Sequence, residues 1–416
     1  MSMRTSERPT PQNRHSSERR AVVTWLSGFG LSIAGDQVFF IVLAWSATSI
    51  ASSDTAASAI LAAGSLPRAL LILYGGKVSD ERGPRKVAIL TDVARTLISL
   101  AFVVLCLVAE PRASFLTALA ILFGAVDAFF LPSSGAMPRM LASDGLVVRA
   151  QTAQSTIQRV ATVIGPPLGG FVLLWDSLPL ALGVDGVLFA LATFLLVATK
   201  APQRSHAVCD ESQKSDERNS VFRGVVLVTR SAVLRSVIAL IALTELVSSG
   251  ILNAGFTLYA ANHGLGAPWL GFALSLFGVG AAASSLGVFF RTPRRCGAMV
   301  CLTLLLSGLV FAIFGMSPSS MSQFLLLFLA GAAGGVCSTL LTTVFLVSSS
   351  DTSVSQVMAV LNLACFGVVP VGTFLTGVIS DAFGIDATFI ILGFIEVAIA
   401  VISLALPSIR RLSIDS

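Results

Sequence analysis

The stretch from Gly75 to Lys86 (GGKVSDERGPRK) places six charged residues within twelve positions of an otherwise apolar sequence. It lies between apolar runs at 56–76 and 87–109, and each run reaches the length of about 20 residues that is needed to cross a bilayer. A dense group of charges between two such runs is typical of a loop at a membrane surface. The stretch therefore indicates a chain that crosses the membrane more than once.

The composition extends this interpretation to the whole chain. Only 12% of the 416 residues are charged, against about 25% in soluble domains, and the mean hydropathy is +0.86. Because each span must satisfy its own backbone N–H and C=O groups in lipid, the spans are predicted to be helices. The sequence thus predicts an all-α membrane protein with twelve transmembrane helices, at 21–50, 56–76, 87–109, 113–140, 146–174, 178–199, 232–261, 267–290, 297–316, 320–348, 354–379 and 386–406.

The distribution of basic residues predicts the orientation. If the N-terminus is cytoplasmic, 23 of the 27 Lys and Arg residues fall in cytoplasmic segments. The external loops then hold only Arg112, and Arg68, Arg95 and Arg159 lie within spans. This asymmetry follows the positive-inside rule and predicts that both termini are cytoplasmic. The net charge of +5 therefore reflects membrane topology, and no nucleic-acid partner is expected.

A polar insertion divides the spans into two groups of six. We predict a cytoplasmic tail at 1–20, a six-helix bundle at 21–199, a linker at 200–222, a second bundle at 223–406 and a tail at 407–416. Matches at one offset of 205 suggest two related bundles, since they pair Gln151 with Gln356, Asp176 with Asp381 and Phe189 with Phe394. Two parallel six-span repeats are a transporter architecture, in which the substrate site lies at mid-membrane between them.

The charged stretch also resembles a known signature. Residues 76–86 are similar to the G-x-x-x-D-R-x-G-R-R loop of the major facilitator superfamily, at the position between spans two and three where that family has it. Glu81 stands where the family usually has arginine. Three further segments resemble the multidrug and macrolide exporter branch of this family. They are Thr91 to Arg95 (TDVAR), Gly35-Asp36 and Phe129 to Pro132. The resemblance implies the major facilitator fold. Asp80 and the cations beside it can form ion pairs that hold the two bundles closed, and Asp80 can also lie at a helix N-terminus of the opposite bundle. We therefore predict a cytoplasmic latch that includes Gly76, Asp80, Arg82, Gly83, Arg85, Lys86, Asp92 and Arg95. A charge cluster that only sets the topology is the alternative.

A second motif lies in span five. Residues 165–170 (GPPLGG) resemble the glycine-proline motif that the family associates with antiporters, which implies a gating role for Gly165, Pro166, Pro167, Gly169 and Gly170. Glycine permits close helix approach, and proline removes a backbone hydrogen bond. Packing without a gating role is the alternative. Span four departs from many proton-coupled exporters, because it lacks their arginine and carries Asp127.

Charges within spans are candidates for function because they are costly in lipid. Counting residues from the loops places Asp36 level with Arg68, and Asp127 level with Arg159. We predict that Asp36 and Arg68 form an ion pair or share a water-filled cavity, and that Asp127 and Arg159 form a second pair. Purely structural pairs are the alternative. Asp92 and Arg95, three residues apart, are expected to face each other near the cytoplasmic surface.

Glu245 has no cation at its predicted depth, so it is a candidate proton carrier. A harmless neutral carboxylic acid would give the same pattern. Asp185 and Glu396 are weaker candidates.

These patterns together predict a secondary transporter of the cell membrane. It would export a lipophilic or amphipathic small molecule by proton antiport and need no cofactor or metal, and the resemblance implies that it acts as a monomer. The 27 phenylalanines against two tyrosines suggest an apolar substrate site. Import or facilitated diffusion of a small metabolite is the alternative. An enzyme or a sensor is not favoured, because the sequence shows no clustered catalytic constellation and no soluble output domain.

Overall fold

A computed structural model describes residues 11–175, 177–199, 225–290, 296–317, 320–347 and 354–405. The predicted linker at 200–222, the first ten residues and the C-terminal tail lie outside the described residues. Within these ranges, twelve helices are long and apolar enough to cross a membrane. They are α1 (Pro11–Ile50), α2 (Asp54–Arg82), α3 (Pro84–Val108), α4 (Ala113–Leu141), α5 (Asp144–Val172), α6 (Leu178–Ala198), α7 (Ala232–Gly250, continuing to Asn262), α8 (Gly266–Phe290), α9 (Cys296–Met316), α10 (Ser320–Val347), α11 (Val354–Phe383) and α12 (Ile385–Ala405).

The predicted all-α fold with twelve spans is confirmed, with three differences in the helices. Helix α1 already begins at Pro11, within the predicted tail. Helix α7 contains a π-helical turn at Ile251–Gly255 before it continues as Phe256–Asn262. Helix α2 runs to Arg82, so most of the charged stretch that was predicted as a loop is helical.

The turn between α2 and α3 needs only one residue outside a helix. Gly83 has a φ of 90°, a conformation that glycine adopts without a steric penalty. Its N–H donates to the carbonyl of Ser79 and so ends α2. Pro84 then begins α3, a position where its missing N–H costs nothing. The charged stretch is therefore a tight corner between two helices.

The two groups of six helices repeat the same pairings. In the first, α2 packs on α4, α3 on α6 and α1 on α5. The second repeats these pairs six helices later, as α8 on α10, α9 on α12 and α7 on α11. The two halves, α1–α6 and α7–α12, meet where α2 packs on α11 and where α5 packs on α8. Moving six helices along the chain converts the contact of α2 with α11 into the contact of α8 with α5, as the repeat at offset 205 suggests.

Glycines allow the close helix crossings. A Cβ on Gly124 in α4 would collide with the carbonyl oxygen of Gly64 in α2. Between the halves, a Cβ on Gly170 in α5 would press on Ala267 and Pro268 of α8, and one on Gly271 would press on the backbone of Pro166. The Gly-Pro motif thus lies in the contact between the two halves. Whether it has a gating role stays a prediction.

Proline in this motif creates a hydrogen bond between the halves. Pro167 has no N–H, so the carbonyl of Val163, four residues earlier, loses its helical donor. The Ser275 hydroxyl of α8 donates to that carbonyl. The opposite half therefore supplies the donor that the proline cannot provide. Pro167 therefore leaves a carbonyl of α5 available for a hydrogen bond with the opposite half.

The halves meet at one end of the molecule. We call the end that carries the turns at 51–53 and 263–265 and Gly384 the closed end, and the end that carries Gly83 the open end. The contacts between α5 and α8 described above all lie in the parts of these helices nearer to the closed end. Toward the open end, Ser155, Gln158 and Arg159 of α5 are exposed. A cavity between the halves is thus accessible from the open end.

Candidate functional site: a charged cavity between the two halves

The cavity between the halves has a volume of about 820 Å³ and is lined mostly by apolar side chains. Both halves contribute phenylalanines to its wall, including Phe39 and Phe123 from one half and Phe277 and Phe366 from the other. Every charged residue of the described lining comes from the first half, and these are Asp36, Arg68, Asp127 and Arg159. The cavity size suits a drug-sized molecule.

A fully buried guanidinium organises the charges beside this cavity. Arg95 in α3 has no exposed surface, and it lies 3.2 Å from Asp92 and 3.4 Å from Asp36. It also forms an ion pair and a hydrogen bond with Asp127. A buried cation is tolerated only when it is paired and hydrogen-bonded, and Arg95 meets this condition with three carboxyl groups.

Aromatic rings enclose the same guanidinium. The Arg95 carbon Cζ lies 4.2 Å from the ring centre of Phe130 and 5.2 Å from that of Phe189. The ring of Phe123 lies 5.7 Å away. Such contacts attract a cation and exclude water, which strengthens the ion pairs around it.

A second cation joins the network from α2. Arg68 lies 2.9 Å from Asp127 and is about one third exposed toward the cavity. Its Cζ also lies 5.4 Å from the ring centre of Phe366, which belongs to the opposite half. Asp127 therefore bridges two guanidinium groups. The network around Arg95 thus reaches the cavity surface and touches the other half.

The predicted pairing of these charges was wrong, although the shared cavity was correctly anticipated. Arg68 pairs with Asp127 rather than with Asp36, because α2 packs on α4. Asp36 pairs with Arg95. Arg159 is exposed on the cavity wall and has no ion pair among the described residues. Counting residues from a loop gives the depth of a side chain, but it does not give the direction in which it points around the helix.

The predicted depth of Asp92 and Arg95 was also wrong. They do face each other, at 3.2 Å, but Arg95 also pairs with Asp36 and Asp127, which line the cavity in the middle of α1 and α4. Asp92 also accepts a hydrogen bond of 2.6 Å from Ser32 in α1. Their place is therefore the charge network behind the cavity, and a supporting role in the latch stays a prediction for them.

The rest of the latch motif lies at the open end. Asp80 is exposed, and Lys77 lies 3.8 Å from Glu81 within the same helix. Arg85 donates a hydrogen bond of 2.9 Å to the carbonyl of Val197, at the end of α6. Arg85 thus joins two helices of the same half. A latch between the halves at this end stays a prediction for Gly76, Asp80, Arg82, Gly83 and Lys86.

Three further carboxyl groups lie in the helices outside the cavity lining. Asp185 in α6 is buried and accepts a hydrogen bond of 2.7 Å from Ser99. Glu396 in α12 is buried as well. Glu245 in α7 is half-buried and does not belong to the described cavity lining, so its role as a proton carrier stays a prediction.

The twelve helices, the repeated halves and the cavity between them define a membrane transporter of small molecules. The chain belongs to the Major Facilitator Superfamily, whose family profile matches residues 21–373. It is similar to the multidrug efflux pump Tap of Mycolicibacterium fortuitum, with 24% identity over 403 residues that cover 92% of this chain and 95% of that protein. The multidrug efflux pump Tap of Mycobacterium tuberculosis H37Rv is similar to the same degree, at 24% over 401 residues and 92% and 93% coverage.

A solved structure shares the fold. The bacterial homologue of the human lysosomal transporter Spinster, in an inward-facing and unoccupied conformation, superposes with a TM-score of 0.73 at 14% identity, covering 96% of this chain and 97% of that one. At this identity the likeness shows the fold alone. The family and its relatives identify the chain as a transporter and not an enzyme, and as a multi-pass protein of the cell membrane.

Proposed function

We propose that this chain is a monomeric drug exporter, which moves lipophilic or amphipathic molecules out of the cell by proton antiport. The observation that carries this proposal is the charge network beside the cavity. Among the described residues, three carboxyl groups, on Asp36, Asp92 and Asp127, contact only two guanidinium groups, those of Arg68 and Arg95. In a low-dielectric site such an excess of negative charge is costly, and binding one proton removes it.

Asp36 is the carboxyl group that we assign to this proton. Its nearest cation, Arg95, is 3.4 Å away, whereas Asp127 contacts two guanidinium groups and Asp92 is sealed from the cavity. The Asp36 side chain is 20% exposed and lines the cavity, so water there can deliver or remove a proton. Asp36 thus combines the weakest pairing with the best access to water.

The same cavity offers a surface for the substrate. Phenylalanine rings from both halves can pack on an apolar face, and Gln158, Arg159 and Asn253 can meet polar groups at its edge. If the basic ends are cytoplasmic, the open end faces the cytoplasm, from which an exporter takes its substrate. The relatives named multidrug efflux pumps support export.

Accumulation of a panel of lipophilic antibiotics and dyes, in an efflux-deficient host that expresses the chain, tests this proposal. We expect lower accumulation of at least one compound, and we expect a protonophore to abolish the difference. No difference for any compound, with the protein confirmed in the membrane, would contradict drug export. Metabolite uptake would then test the importer alternative.

Replacing Asp36 with asparagine should reduce proton-driven efflux to the level of cells without the transporter. Asparagine keeps the size of the side chain but cannot exchange a proton with the cavity. Efflux is measured at equal membrane abundance, with Glu396→Gln as the matched control, since Glu396 is a buried carboxyl group outside the cavity lining. The control should retain efflux. Full efflux by Asp36→Asn would remove Asp36 from the proton pathway.

A further inference from the structure

One eight-residue pattern, G-x-x-S-D-x-x-G, occurs at both ends of the molecule. It spans residues 76–83 (GKVSDERG) at the end of α2 and residues 377–384 (GVISDAFG) at the end of α11. Gly83 and Gly384 have φ values of 90° and 85°, and their N–H groups donate to Ser79 and Ser380 at 2.9 and 2.8 Å. The two segments therefore form the same helix end and the same turn.

The helices that carry the two patterns pack on each other across the halves. They run in opposite directions, so the C-terminal end of each lies beside the N-terminal end of the other. Asp80 stands two residues before the end of α2, and Asp381 two residues before the end of α11. Each aspartate is thus placed to reach the first turn of the partner helix.

At the closed end, Asp381 contacts the first turn of α2. The Asp381 carboxylate accepts hydrogen bonds from the backbone N–H groups of Asp54 (3.0 Å) and Thr55 (2.9 Å), in the first turn of α2. Ser53 accepts from the next N–H, that of Ala56, through its side chain at 3.2 Å. The start of a helix carries N–H groups without helical partners and favours a negative charge. Asp381 therefore caps a helix of the opposite half.

Asp54 of α2 also forms hydrogen bonds with the second half. The carboxylate of Asp54 accepts hydrogen bonds from the Ser380 hydroxyl at 2.5 Å and from the Asn262 amide at 3.2 Å, both in the second half. Gly377 brings the helices together, because a Cβ there would collide with Ser58 and the Asp54 carbonyl. The pattern's glycine, serine and aspartate thus all contact α2.

The copy of the pattern at the open end is undocked. At Gly76, the counterpart of Gly377, an added Cβ would have no atom of another described helix within 4 Å. Asp80, the counterpart of Asp381, is exposed. Among the described residues the two copies therefore differ: Asp381 is bound to the opposite half, whereas Asp80 is exposed.

We propose that residues 377–384 form the latch of the closed end, in which Asp381 is the residue that positions the two halves. In this proposal the latch releases when the closed end opens. This proposal depends on the proposed function in one respect, which is that the chain transports by alternating access. It does not depend on the substrate or on the direction of export.

Labelling of a buried cysteine tests the latch on purified protein without substrate. Ser58→Cys places a thiol beneath the latch, at a residue that has no exposed surface. A bulky hydrophilic maleimide should label it only when α2 and α11 separate. Labelling of the parent protein, which has six native cysteines, is subtracted. We expect Asp381→Asn to raise the labelling rate about tenfold, the effect of losing charge-assisted hydrogen bonds.

Asp386→Asn is the matched control. Asp386 lies at the same end, but it contacts His263 of its own half at 3.4 Å. It should label at the parent rate. A cysteine at buried Ser133 in α4, away from the latch, reports general loosening. An unchanged rate in Asp381→Asn would overturn the proposal, and so would an equal increase at Ser133→Cys.

Discussion

Replacing Arg95 with methionine should abolish transport and destabilise the protein by about 3–5 kcal/mol, the usual cost of removing one partner from a buried ion pair. Methionine fills a similar volume but leaves Asp36, Asp92 and Asp127 without their shared cation. The apparent melting temperature in detergent and efflux in cells are the measurements.

Two comparisons make this expectation specific to the charge network. Arg159→Met removes the same kind of side chain from an exposed position, so it should change stability by no more than about 0.5 kcal/mol. Combining Arg95→Met with Asp92→Asn should recover part of the lost stability, because one uncompensated carboxylate is removed. If the double variant is as unstable as the single one, the loss reflects packing around Phe130 rather than charge.

Replacing Gly124 with alanine should destabilise the first half by about 1–3 kcal/mol, the usual cost of overpacking. The added methyl group would collide with the carbonyl oxygen of Gly64 in α2. That oxygen belongs to a helix backbone, which cannot rotate away as a side chain would. The two helices must therefore move apart, and the salt bridge between Arg68 and Asp127, which spans the same helix pair, should weaken. Thermal unfolding in detergent measures the effect.

Gly135→Ala in the same helix is the control. An added Cβ at Gly135 would have no atom of another described helix within 4 Å, so alanine should be neutral there or slightly stabilising through its better helix propensity. Equal losses in both variants would show that α4 needs glycine for a reason other than contact with α2.

Much of the fold could be predicted because lipid imposes strong constraints on sequence. The need to bury about 20 apolar residues per span and to satisfy every backbone group set the number, type and approximate limits of the helices. Helix α2 is the instructive exception. Its charged end was predicted as a loop because charges leave the membrane, yet a helix can continue into water, and only Gly83 and Pro84 break it.

The residues of the candidate site could be predicted from the sequence, but the contacts among them could not. A charge in an apolar span is conspicuous, so Asp36, Arg68 and Asp127 could be found from sequence alone. Arg95 was assigned to the surface because it follows the charged corner by only three turns, whereas the packing of α3 on α4 and α6 places it behind the cavity. Asp381 was noted only as part of a repeat, although the pattern shared by 76–83 and 377–384 was a usable signal.

The sequence by itself determined the membrane solvent, the twelve helices, the resemblance to the family and the set of charged side chains that need partners. These properties depend on local composition and spacing. Only the tertiary structure decided which charges meet, which end is closed and which copy of the repeated pattern is docked. Those outcomes depend on how helices rotate and cross, and the crossings are set by contacts between residues distant in sequence, such as Gly64 with Gly124 and Asp54 with Asp381.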